Sequence, residues 1–272
     1  MVSNIAILGM VFTLLICFVL PILAMGVLKI RMRAQILLFL VGISMHLVFV
    51  MLLERLFMSL TIQAVPGIGE NAVLYTVLAV VAAAVFESLE FALVARLLQD
   101  HMDRGSRAVM FGLGHGGANA ALSSGLTSIT YYSVAVIANA EGAEYLTQDL
   151  SGDELTMMQG MLEQVQADFW VFYISGVEQL MMIMVYCCAA VVMWMAMSGS
   201  LPRKWASVSA GMIALLHLPM ELGSSGLFPN VWVAPILCLI IGIATVVFTR
   251  RLYVKIEGKR PRQEKMPARR LR

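Results

Sequence analysis

Charge is what this sequence has least of. Only 13% of its 272 residues are Asp, Glu, Lys or Arg while 60% are hydrophobic, and a mean hydropathy of +0.84 excludes an ordinary soluble domain. Cysteine is sparse as well. Cys17, Cys187, Cys188 and Cys238 all lie inside apolar runs, in neither disulfide nor metal spacing, so they read as packing thiols. The chain has no internal repeat and no low-complexity linker, which points to one domain and lacks the paired halves that many carriers show. No basic region precedes the first apolar stretch, and that stretch is too long for a signal-peptide core, so it is expected to stay as a span. The net charge of +2 is small. The basic tail "RRLYVKIEGKRPRQEKMPARRLR" suits attraction to anionic lipid better than binding of nucleic acid, and the 21 methionines suit adaptable packing between helices better than copper binding.

A bilayer core of roughly 30 Å needs about 20 apolar residues per helical span. Seven segments meet this, about 5–28, 35–60, 72–98, 107–139, 169–199, 205–223 and 231–249, and each is too long for a barrel strand. The expected fold class is all-α, a polytopic transmembrane helix bundle of seven spans. Of the 19 basic residues, 18 fall on one side of an alternating path through these spans, and only Arg55, beside Glu54, does not. Basic residues collect on the cytoplasmic side, so the N terminus is expected outside and the C terminus in the cytoplasm. The 140–168 loop carries Glu141, Glu144, Asp149, Asp153, Glu154, Glu163 and Asp168 with no basic residue, and is expected outside. Within it, Ser151 followed by Glu154 and apolar residues at helical spacing marks 147–168 as an external amphipathic helix. Residues 1–249 read as a single transmembrane domain and 250–272 as a basic cytoplasmic tail. The expected location is the cell membrane, crossed several times, and the expected organism type bacterial.

Titratable groups inside a bilayer cost about 2.5–3.5 kcal/mol each even on lenient insertion scales, so each raises a functional question. On the third span Glu87 lies about eleven residues from the cytoplasmic end, ~16 Å deep, and Glu90 follows on the same face. On the fourth, "FGLGHGGANAAL" puts His115 about eight residues in, ~12 Å deep, with Asn119 at i+4. Glu178 on the fifth span is about nine residues from the outer edge. On the sixth, His217 comes about twelve residues in, ~18 Å deep, with Glu221 one turn on and Pro219 loosening the turn between them. Four helices thus carry acids or imidazoles into one thin slab, where their titrations are coupled. Gly112, Gly114, Gly116 and Gly117 strip side chains from around His115, which lets a neighbouring helix or an extended substrate backbone come close.

At these residues the sequence resembles the YhfC family of intramembrane proteases, relatives of the CAAX-processing and PrsW-type glutamic enzymes. The similarity runs from about residue 72 to 249 and is carried by the acidic motif after Phe86, GHGG at 114–117, Glu178, and His217 with Glu221 four residues on. The resemblance implies that Glu87 activates water for attack on a peptide carbonyl, that His115 and His217 orient the water and stabilise the oxyanion, and that Glu221 orients His217. Glu90, Asn119, Glu178 and the glycines Gly114, Gly116 and Gly117 are then the candidates for contact with substrate. The implied partner is a membrane-inserted peptide or another membrane protein, with lipid around it, and no metal or other cofactor is expected. Four positions depart from the family pattern: Ser88 replaces its second glutamate, Phe91 its arginine, Asn119 the acid after GHGG and Gln179 the arginine after Glu178. Arg96 is on the opposite face of the helix and is a poor substitute.

Three further readings stay open. A noncatalytic member of the family would bind membrane segments without cutting them. A proton- or ion-coupled transporter would also use acids at mid-membrane. A zinc site of Glu87, Glu90, His115 and His217 is conceivable, although no HExxH or equivalent spacing supports it. The charge pattern generates a topology prediction. In a variant without the native cysteines, Asp153→Cys should react with a membrane-impermeant maleimide in intact cells, whereas Arg203→Cys should react only after permeabilisation; the reverse pattern would invert the orientation.

Overall fold

The computed structural model describes residues 1–65, 67–166, 169–228 and 230–257. Asp168 of the acidic loop and residues 258–272 of the basic tail lie outside them. Among the described residues no strand occurs. Seven helices there are long and apolar enough to cross a membrane: Asn4–Met32, Ile36–Ala64, Ala72–Leu97, Gly105–Ala140, Trp170–Met197, Arg203–Ser224 and Val233–Ile256. They are called spans one to seven. The chain is a polytopic all-α membrane protein. The last span runs past residue 249 and takes Arg250 and Arg251 into the helix; their long side chains can snorkel to the interface, while Lys255 in the last turn meets the partial negative charge of the helix C terminus. A further helix, Gly152–Gln166, sits in the acidic loop. It rests on the N-terminal end of span one and the C-terminal end of span four through Leu162 and Val165, packed with Val2, Ala6, Val134 and Ala138, and Tyr131 donates to Gln164 across 2.5 Å.

Span five is the axis of the bundle. Of its most apolar window 72% is buried, against 22–33% in the other spans, so those turn much of their apolar surface outward. Leu8, Leu15, Leu52, Leu74, Val81, Leu89, Ile236 and Ile243 stay exposed, as expected where lipid is the solvent and apolar burial gains nothing. Span four packs on spans two and five, and span six on spans three, five and seven.

Glycine sets the closest of these approaches. A Cβ on Gly114 would overlap the Phe39 carbonyl of span two, and one on Gly42 would overlap the Phe111 carbonyl and sit 2.7 Å from the His115 nitrogen. The two helices therefore cross backbone to backbone. On the other side of span four, a Cβ on Gly112 would lie 2.6 Å from the Tyr186 carbonyl and one on Gly116 2.9 Å from the Ile183 Cα, both on span five. Gly117 gives the same room to Pro21 of span one. The space around His115 is thus taken up by three neighbouring helices.

Three spans widen locally to π-helical turns, at Leu15–Val19, Leu47–Glu54 and Ala121–Gly125. The first has an evident cause: the ring of Pro21 crowds the carbonyl four residues back and lacks an N–H. The second begins immediately after His46, and such bulges often lie at functional sites.

The glycine crossings make a stability prediction. Gly42→Ala or Gly114→Ala forces overpacking and should cost about 1–3 kcal/mol, read as a lower unfolding midpoint in detergent. Gly211→Ala, where a Cβ would meet nothing within 4 Å, is the control. Equal midpoints for all three variants would show that spans two and four do not touch there.

Candidate active site at mid-membrane

Glu87 and Glu90 both project from the buried face of span three, since positions three apart share a side of a helix, and both are 0% exposed. A carboxylate can only accept hydrogen bonds, and each of these two finds its donors on other helices. Tyr186 of span five donates its hydroxyl to Glu87 Oε1 at 2.9 Å. The same hydroxyl lies 3.0 Å from His217 Nε2, which is itself 3.3 Å from Glu87 Oε1. With the tyrosine proton given to Glu87, His217 Nε2–H is the donor to the Tyr186 oxygen. Spans three, five and six are therefore tied at one point by a relay in which each proton has a place.

A second pair lies beside it. His115 Nδ1 is 2.8 Å from Glu90 Oε1, with both side chains fully buried. With Glu90 ionised, Nδ1 must donate, which leaves the lone pair of a neutral ring on Nε2. The His115 ring is packed on three sides, by Tyr186 at 4.5 Å between centroids, by Phe91 at 5.0 Å and by His46 of span two, edge-on at 4.8 Å. Phe91, the position where the resemblance calls for arginine, fills the corner between His115, Phe111 and Tyr186 with an apolar ring.

Glu87, Glu90, His115 and His217 thus come together. Glu221 is half-buried and within electrostatic reach of His217, but among the described residues no hydrogen bond joins the two. Asn119 is half-buried one turn after His115 on span four, and its carbonyl accepts from Ser123. Glu178 is elsewhere: it is eight residues before Tyr186 on span five, ~12 Å along the axis, and within electrostatic reach of Cys238 on span seven. Gly114, Gly116 and Gly117 face spans two, five and one. Gln179, the other altered position on span five, donates to Ser124 at 2.9 Å.

Three residues of the cluster escape motif reasoning. Tyr186 is the hub, and its one signal is position, because it sits in the middle of a span while membrane tyrosines favour the interfaces. His46 comes ten residues after the start of span two, as His115 does in span four, and so lies at the same depth. Glu54 adjoins Arg55 in the sequence, which suggests a surface pair; instead its Oε2 is buried without a hydrogen-bond partner, within electrostatic reach of Glu87, His217 and Glu221.

The YhfC intramembrane metalloprotease family matches residues 16–238. The chain belongs to this family. No curated protein and no solved structure matches the chain. The description of the YhfC family raises the question of a metal. Donor types are present, and His46 Nδ1, His115 Nε2, Glu87 Oε2 and Glu90 Oε2 are buried without partners. Yet among the described residues no three His, Cys, Asp or Glu side chains are placed to hold one ion. The placement does not fit a metal centre, and the chemistry below uses the side chains of this YhfC protein alone.

The buried pair can be tested by a double-mutant cycle. Glu90→Leu leaves His115 Nδ1 unsatisfied and should cost about 1–3 kcal/mol; His115→Phe should likewise strand Glu90. The double variant should be more stable than the sum of the two losses predicts, by at least about 1 kcal/mol. Strict additivity in denaturation midpoints would mean that the residues do not meet.

Proposed function

We propose that the protein is a glutamate-dependent intramembrane peptidase of the cell membrane, acting on membrane-inserted peptides or membrane-protein segments. The observation that carries this reading is the fully buried Glu87, with one oxygen fixed by Tyr186 and the other without a partner. Orienting one carboxylate oxygen aims the other, and an aimed base in a water-poor site is what proton abstraction needs. In the proposed step a water gives a proton to Glu87 Oε2 while its oxygen bonds to the scissile carbonyl carbon, and the carbonyl π pair moves onto oxygen. The oxyanion then draws the His217 Nε2–H away from the Tyr186 oxygen and takes its hydrogen bond. Collapse re-forms the C=O and breaks the C–N bond, and Glu87 returns the proton to the leaving nitrogen, so that acid and amine are released. His217 is the natural point of contact with substrate, being 15% exposed at its side chain where Glu87 is 0%. Glu221 and Glu54 lie within electrostatic reach of His217. Glu90 fixes the ring of His115 beside it.

A noncatalytic role has one observation in its favour. Phe91 presents an apolar ring where a guanidinium would hold and polarise the acids, so the same cluster could bind a membrane segment without cutting it. Glu87→Gln separates the readings because it keeps volume and the bond from Tyr186 but cannot take a proton. With a panel of membrane-inserted reporter peptides in proteoliposomes, the variant should lose cleavage by about 10²-fold or more with its unfolding midpoint unchanged. Equal cleavage by wild type and variant would end the peptidase reading, and peptide binding without cleavage by the wild type would favour the noncatalytic one.

A further inference from the structure

We propose that His46 of span two is the third imidazole of the site and that, with His115, it holds the water that Glu87 activates. The inference rests on the peptidase reading for its catalytic half only. His46 is 1% exposed, and among the described residues its Nδ1 has no hydrogen-bond partner. Orphaned buried polar atoms are rare enough that each calls for an explanation, and an ordered water is a common one. Here the orphans are not scattered. His115 Nε2 and Glu87 Oε2 are unpartnered too, the His46 and His115 rings meet edge-on at 4.8 Å, and His46 lies within electrostatic reach of Glu87 and His217 as well. A buried water makes about three hydrogen bonds. Glu90 Oε2 and Glu54 Oε2 are orphaned in this cluster as well, but the two imidazole nitrogens and the Glu87 oxygen match that number, and they include the base of the proposed reaction.

The backbone explains why His46 is held there. Gly42 and His46 are four residues apart and share a face of span two. Gly42 is the residue whose Cβ would collide with the backbone of Phe111 and His115, so the contact that lets span two touch span four also delivers the His46 ring to His115 one turn later. The helix then widens into its π-helical segment, Leu47–Glu54, which begins at the residue after His46 and ends at Glu54. A strict α-helix would rotate Glu54 differently relative to His46. The widened turns put both residues toward the same group of side chains, and Glu87 and His217 are within electrostatic reach of each of them. A structural role for His46 would need only a flat ring against His115; a role in holding water needs the nitrogen.

His46→Phe separates ring from nitrogen, and His46→Gln keeps polar atoms without the ring. On a reporter peptide that the wild type cleaves, His46→Phe should lower kcat by about 10²-fold, the scale seen when one preorganised hydrogen-bonding group is removed, with KM within about threefold, and His46→Gln should recover part of the loss. Wild-type kcat in His46→Phe would overturn the catalytic role. An independent readout is water-edited NMR of histidine-labelled protein in lipid, with the His46 signal assigned by its loss in His46→Phe. Magnetisation transfer from water to that ring is expected in the wild type and in Glu87→Gln. A dry His46 ring would overturn the proposal whether or not the protein cuts peptides, whereas a wet ring in a protein that cuts none would sink the peptidase reading and leave the water site standing.

Discussion

A carboxylate at the centre of a bilayer has to be met by a donor, and in this protein the donor is the hydroxyl of Tyr186. It binds Glu87 and His217 together and so joins spans three, five and six at a single atom. The position of span five makes this possible, because it is the most buried of the seven spans and can present Tyr186 to the interior without exposing it. Glu90 and His115 repeat the solution next door with a direct pair. The first pairing leaves Glu87 Oε2 unspent and the second leaves Glu90 Oε2 and His115 Nε2, and the unspent Glu87 oxygen is where a base can act.

The glycines of span four serve the same end by a different route. They allow spans one, two and five to close on His115 so tightly that its ring is boxed by Tyr186, Phe91 and His46. Dispersion and small-residue contact drive such packing in lipid, where apolar burial does not. A site of acids and imidazoles is costly to assemble, and here close helix crossings hold it in place. A larger residue at Gly42 or Gly114 would therefore move the histidines as well as loosen the bundle.

Much of this was legible in the sequence. The seven spans followed from hydropathy to within a few residues, because long apolar runs leave one physical solution in a membrane. The family followed from GHGG, Glu178 and the spacing of His217 and Glu221 as a resemblance, and the family match bears it out. The meeting of Glu87, Glu90, His115 and His217 was expected from depth alone, since helices of known direction fix height. What depth cannot fix is rotation about the helix axis. Glu178 has a plausible height yet faces span seven, while Glu54 is far along span two but is turned inward by π-helical turns that no motif announces. Tyr186 and His46 went unmarked for a related reason: a lone tyrosine or histidine carries no pattern, and its meaning comes from the partners that packing brings to it.

The claim on which the rest depends is that Tyr186 joins Glu87 and His217. An experimental structure of the protein in a lipid nanodisc, resolved well enough to place side chains, measures this most directly. The account predicts the Tyr186 hydroxyl within about 3.2 Å of both Glu87 Oε1 and His217 Nε2. A Tyr186 hydroxyl bonded elsewhere, with Glu87 and His217 turned toward separate neighbours, would contradict it.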